Sequence, residues 1–184
     1  GSQNTFIGHN SGLFNTTGTK NTFVGYNSGY SNETFDYSTL IGYEAGCDND
    51  CDQNTFVGFR SGRCNSGMNN VGVGHQSLCN NQGNNNTTIG NFTMENNTTG
   101  CDNVAVGVKS LLLNTTANYN TAVGMSSLHC NTIGENNTAI GKFSGKNNQT
   151  GNNTNNSGLN IPTPNRALPV DLVKVTTTDP IKID

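Results

Sequence analysis

Residues 120–127 read Asn-Thr-Ala-Val-Gly-Met-Ser-Ser, and the phrase Asn-Thr-x-Ile/Val-Gly, with a small residue three places on, recurs along most of the chain. Its glycines are Gly8, Gly25, Gly42, Gly58, Gly74, Gly90, Gly107, Gly124 and Gly141, always 16 or 17 residues apart. A fixed short period marks a solenoid, in which one repeat cannot bury a face alone and stacked repeats share a core. Directly before each glycine stands a β-branched apolar residue: Ile7, Val24, Ile41, Val57, Val73, Ile89, Val106, Val123 and Ile140. Three before it stands Thr or Val, so strand formers recur at one phase. The predicted fold is all-β: a parallel β-solenoid (β-roll) of nine 16–17-residue coils with an extended C-terminal tail.

Working outward from the glycine, the third residue after it is always small (Ser11, Ser28, Ala45, Ser61, Ser77, Thr93, Ser110, Ser127, Ser144). The seventh is always asparagine: Asn15, Asn32, Asn49, Asn65, Asn81, Asn97, Asn114, Asn131 and Asn148. Asparagine tolerates the left-handed backbone of a tight corner, and stacked asparagines can hydrogen-bond their amides. Each coil is therefore expected to have two short strands and two corners. Gly18, Gly67, Gly83, Gly100, Gly134 and Gly151 mark the corner that absorbs the one-residue length change.

Two further positions compensate in volume. Two before the glycine stand Phe6, Phe23, Leu40 and Phe56, where the residue four after it is Gly12, Gly29, Gly46 and Gly62. The sizes then reverse: Gly72, Thr88, Ala105 and Ala122 accompany Leu78, Met94, Leu111 and Leu128. Such exchange predicts one shared packing space. Coil nine has Ala139 and Gly145, and Phe143 is expected to fill its gap. Neighbouring strand residues point to opposite faces, so apolar residues both one and two before the glycine predict a strand covered on both sides, the second by another chain or by a corner loop folded back over it, the chain contact being favoured.

The 184 residues are 31% hydrophobic and 11% charged, with no tryptophan. That excludes a large globular core, and such low charge does not read as plain disorder. A net charge of -3 without clustered Lys or Arg argues against nucleic acid as a partner. No apolar run is long enough for a membrane-spanning helix. Gly1-Ser2-Gln3-Asn4 is in phase with Gly18-Thr19-Lys20-Asn21, so the start reads as part of the array cut from a longer precursor.

The array at about residues 1–153, typified by Asn-Thr-Ala-Val-Gly-x-x-Ser at 120–127, resembles the head repeats of YadA-type trimeric autotransporter adhesins and related bacterial and viral fibre proteins. That resemblance implies a left-handed parallel β-roll that trimerises around apolar faces and presents an adhesive surface to host matrix or cells. This chain differs in having longer coils and cysteines, and no coiled-coil stalk or membrane anchor is visible in it.

Few residues point to chemistry. Asp48, Asp50 and Asp52 alternate as at the start of a calcium loop, without the EF-hand glycine and twelfth-position Glu, so a solvated corner is expected and no cofactor. His9 and His75 share a phase that His129 does not, and the acids are scattered, so no catalytic centre is expected. Tyr26, Tyr43 and Phe59, just after their glycines, predict an aromatic ladder beside His9 and His75, suited to a packing contact or to sugar rings. The file Thr5, Thr22, Thr39 and Thr55, broken by Val71 and Val104, raises ice binding as a reading of another class. Glycosylation sequons stand at Asn15, Asn32, Asn85, Asn86, Asn91, Asn96, Asn97, Asn114, Asn136, Asn148, Asn152 and Asn155, several at the corner asparagine, where a glycan is expected to be exposed. Six cysteines without Cys-x-x-Cys spacing predict disulfides and an extracellular or surface location, with Cys64–Cys79, Cys47–Cys51 and, by elimination, Cys101–Cys130 as pairs, the last equally readable as an interchain bond.

The predicted organisation is a solenoid over 1–153, an Asn/Gly/Pro-rich linker over 154–168 and a strand-like tail over 169–184. Val170, Leu172, Val173 and Val175 in the tail are expected to add a strand to a neighbouring subunit. The functional expectation is a self-assembling extracellular fibre or filament subunit. An adhesin head binding host glycan or matrix is the alternative.

Overall fold

A computed structural model describes residues 1–157. The tail, with Val170, Leu172, Val173 and Val175, and most of the expected linker lie outside the described residues.

Ten three-residue strands form one parallel sheet in strict chain order. They are β1 (Thr5–Ile7), β2 (Thr22–Val24), β3 (Thr39–Ile41), β4 (Thr55–Val57), β5 (Val71–Val73), β6 (Thr87–Ile89), β7 (Val104–Val106), β8 (Thr121–Val123), β9 (Thr138–Ile140) and β10 (Asn155–Ser157). Equivalent residues pair throughout, as Phe6 with Phe23 and Ala122 with Ala139. The chain is a β-solenoid, and no helix occurs among the described residues. β10 pairs with β9, so the array continues past residue 153 into the expected linker.

The expected second strand is instead a run of turns. After each glycine the backbone is left-handed at the second and fourth residues, as at Asn27 (φ 50°) with Gly29 (φ 58°), and at Gln76 (φ 50°) with Leu78 (φ 52°). Alternating handedness breaks the strand, yet the turns still bond coil to coil. The Gly29 amide donates to the Ala45 carbonyl at 3.0 Å, and the Ser31 amide to that of Cys47 at 2.9 Å.

The core is one column inside the coils, made by Phe23, Leu40, Phe56, Leu78, Met94, Leu111 and Leu128 with Ala105, Ala122 and Ala139. The volume exchange reflects shared space. A Cβ on Gly29 would lie 2.6 Å from the Phe23 ring, and one on Gly62 would lie 2.2 Å from that of Phe56. Where the strand residue is small, Leu78, Met94, Leu111 and Leu128 fill the column from the turn side with φ of 48–52°. Left-handed backbone costs such residues about 1–2 kcal/mol each, which burial worth about 1.5–3 kcal/mol offsets. Coil nine does not use Phe143. That ring is half-buried beneath the ammoniums of Lys142 and Lys146, 5.0 and 4.9 Å from its centroid. Leu128 Cδ2 and Asn156 Nδ2 fill the space instead, 2.9 and 3.1 Å from where a Gly145 Cβ would stand.

Two amide columns complete the interior. The asparagines seven after the glycine are not exposed corners: Asn32, Asn49, Asn65, Asn81, Asn97, Asn114 and Asn131 are fully buried. Asn65 donates to Asn49 at 2.7 Å, Asn81 to Asn65 at 2.7 Å and Asn114 to Asn97 at 2.7 Å. In the second column, the asparagine opening each Asn-Thr-x motif uses its Oδ1 to accept the backbone amide of its counterpart one coil on, as Asn70 does for Asn86 at 2.9 Å. Its Nδ2 donates across the corner, as from Asn70 to the Gly83 carbonyl at 2.9 Å. The small residue three after the glycine serves the same bookkeeping of buried polar groups: Ser28 Oγ donates to the Leu40 carbonyl and Ser61 Oγ to that of Gly72, both at 2.8 Å.

Candidate interaction face

The pleat that turns Phe23, Leu40 and Phe56 inward turns the residues on either side of them outward. One outward file is therefore Thr5, Thr22, Thr39, Thr55, Val71, Thr87, Val104, Thr121 and Thr138, and the next is the β-branched file from Ile7 to Ile140. Ile7 is 59% exposed, Ile89 47% and Ile140 53%. None of the intervening residues Val24, Ile41, Val57, Val73, Val106 and Val123 is buried. No described residue covers the second side of the strand.

Beyond the glycine a third outward file carries the expected ladder. His9, Tyr26, Tyr43, Phe59 and His75 stack with centroids 5.5, 5.1, 5.3 and 4.8 Å apart and interplanar angles of 8–22°. Phe92 continues the stack, tilted by 50°. Each inner ring gives its faces to its neighbours and its edge to solvent. Val108 and Met125 prolong the file as exposed apolar residues, and Lys142 ends it. The three files carry no Asp, Glu, Lys or Arg before Lys142.

The acidic corner does not converge. Asp52 accepts the Asp36 backbone amide at 2.9 Å, and Asp36 accepts the amide and hydroxyl of Thr19. Asp48 meets Ser31 and the Cys47 thiol, and the Asp50 amide donates to the Asn65 carbonyl. Among the described residues no three His, Cys, Asp or Glu side chains gather as metal ligands.

All six cysteines carry free thiols in the structure. Cys64 and Cys79 are neighbours across coils four and five, the Cys64 amide donating to the Cys79 carbonyl at 2.8 Å. Cys101 and Cys130 are not: Cys101 stacks between Asn84 and Asn118, and the Cys130 amide bonds Lys146. They occupy different places on the coils, so they do not pair within one chain. Cys47 is buried beside Asp48, whereas the Cys51 thiol turns to the Ser66 carbonyl at 3.0 Å. Burial pushes the Cys47 thiol up to about 12, helped by Asp48 and Glu44.

The sequons divide by burial. Asn32, Asn86, Asn97 and Asn114 are fully buried, which overturns the expectation that corner sequons are exposed; Asn15 and Asn148 are half-buried. Asn85, Asn91, Asn96, Asn136, Asn152 and Asn155 are exposed. The second amide column was the feature the sequence reading did not assign. Its signal was the near-constant asparagine that opens the motif.

No protein-family model, curated protein or solved structure matches the chain.

Proposed function

We propose that the chain is a non-catalytic structural segment of an extracellular fibre, whose copies associate through the outward sheet face. The observation that carries this reading is the β-branched file from Ile7 to Ile140, which no described residue covers. It runs over nine coils beside the aromatic ladder, a continuous band about 40 Å long at the usual strand spacing. Monomers seldom leave a band of that kind in water, and a second copy carries the same band, so a rotationally symmetric contact covers both at once. An adhesin head binding host glycan is the weaker reading. Sugar rings lie on aromatic faces, and here the inner faces are used within the stack. Ice binding is served by the threonine register, but Val71 and Val104 interrupt it.

The exposed sequons are compatible with a glycosylated extracellular protein. Asn91 lies in the ladder file itself, so a glycan there would stand on the contact face, while Asn136 and Asn152 lie in the corners. The test is the mass of the full chain by light scattering, with electron microscopy of the same sample. We expect an oligomer that V57E/V73E converts to a monomer with an unchanged far-UV spectrum. A wild-type chain that stays monomeric at every concentration, with its fold intact, refutes the reading, and an ice-growth assay on that monomer then decides for or against the ice-binding alternative.

A further inference from the structure

Three of the six cysteines stand five or six residues after the glycines of consecutive coils: Cys47 on coil three, Cys64 on coil four and Cys79 on coil five. The ladder ranks the pairs they can form. Between adjacent turn runs here, the amide six after a glycine donates to the carbonyl five after the next one, as from Asp48 to Arg63 at 2.7 Å and from Cys64 to Cys79 at 2.8 Å. Cys64 and Cys79 thus stand on the near diagonal of a rung, tied backbone to backbone by that hydrogen bond, and a disulfide asks for Cα atoms roughly 4.4–6.8 Å apart. Cys47 and Cys64 stand on the far diagonal, with the Asp48 carboxylate contacting both thiols at 3.7 and 4.0 Å. Cys64 is exposed and Cys79 is buried. The place also matters for packing, since coils four and five are where the core passes from Phe56 with Gly62 to Gly72 with Leu78, and a Cβ on Gly72 would come within 2.9 Å of the Phe56 ring.

We propose that Cys64 and Cys79 form a thiol–disulfide exchange site that takes a small-molecule disulfide as oxidant and closes into a staple across this junction. The Cys64 thiolate attacks one sulfur of the disulfide, whose S–S bond breaks and releases one thiolate. The Cys79 thiolate then attacks Cys64 Sγ in the mixed disulfide and expels the second. The protein loses two electrons and two protons, and the oxidant leaves as two thiols. The exposed cysteine receives the reagent and the buried one resolves it. Burial pushes the Cys79 thiol up to about 11, so the resolving step is slow near neutrality and speeds about tenfold per pH unit as its thiolate fraction rises.

The test uses the reduced full chain, 2-hydroxyethyl disulfide and non-reducing peptide mapping. Trypsin cuts after Arg63 and cyanogen bromide after Met68 and Met94, which places Cys64 in 64–68, Cys79 in 69–94 and both Cys47 and Cys51 in 21–60. Expected is a 64–68 peptide joined to 69–94, forming faster at pH 9 than at pH 7. It persists in C47S and C51S and is replaced in C79S by a mixed disulfide on Cys64. A 64–68 peptide joined to 21–60, a mixed disulfide that never closes in the wild type, or an unreactive Cys64 overturns the proposal.

Discussion

Coil four offers a test of the shared core space, because exchanging its two core residues should move the packing switch by one coil without removing it. Phe56→Ala alone empties the strand side of a fully buried site, a change that costs about 3–5 kcal/mol. Gly62→Leu alone drives a side chain into the Phe56 ring, with its Cβ 2.2 Å from Cδ2, at a left-handed φ of 58°. Overpacking adds about 1–3 kcal/mol and the backbone about 1–2 kcal/mol. If the sites were independent, the double variant would lose about 5–10 kcal/mol, the sum of these terms. Coil eight already holds the exchanged arrangement, with Ala122 buried beside Leu128 at φ 48°. A leucine at position 62 would stack on Leu78 and continue that column. The double variant should therefore lose only about 1–3 kcal/mol, chiefly the backbone cost, giving a coupling of several kcal/mol. Urea unfolding of the four proteins, followed by circular dichroism, measures the cycle. A double variant as unstable as the sum of the singles would refute the shared space.

Asn97→Ala should cost about 1–3 kcal/mol by taking the Nδ2 donor from Asn81 Oδ1, which keeps only the Gly83 amide at 3.2 Å, and the Oδ1 acceptor from Asn114 Nδ2, whereas the exposed neighbour Asn96→Ala should cost under about 0.5 kcal/mol; equal effects in denaturant unfolding would remove the amide column from the account. Expressed in a glycosylating host, the folded chain should carry glycans only at exposed sequons such as Asn136 and Asn152, and glycopeptides at Asn97 or Asn114 in soluble folded protein would contradict their burial. The Cys47 and Cys79 thiols have raised folded values of about 12 and 11, so the folded state holds their protons after the unfolded chain has released them. Their contribution is complete below the unfolded value of about 8.5 and is lost as pH rises through 11 and 12. Unfolding curves of reduced C47A/C79A should accordingly fall less steeply between pH 9 and 11 than those of the reduced wild type.

What the sequence made legible follows from where one residue type serves only one purpose. A β-branched residue before a glycine every 16 or 17 residues has little use except a stacked strand, and a large residue opposite a glycine that exchanges with it has little use except a common cavity. Asparagine serves two. It favours exposed left-handed corners and also forms buried amide stacks, and identity alone does not separate them. Nine occurrences at one phase were the evidence for the stack, because an exposed corner accepts Asp, Gly or Ser as readily, as the Ser2, Thr19, Asp36, Asp52 and Met68 column shows six before each glycine. The turn run was hidden for a related reason. Glu44, Arg60, Gln76 and Leu78 have no intrinsic preference for left-handed backbone, and neighbouring coils hold them there through bonds such as that from the Glu44 amide to the Tyr26 carbonyl at 2.9 Å. Coil ten was missed because Asn155-Asn156-Ser157 lacks any apolar residue, although Gly158 falls in phase 17 residues after Gly141. Its Asn156 does at the end of the column what apolar residues do elsewhere, closing the space over Gly145 with an amide that also reaches Thr154 Oγ1 at 3.3 Å. A polar side chain can take an apolar one's place there because it both packs and keeps its hydrogen bonds.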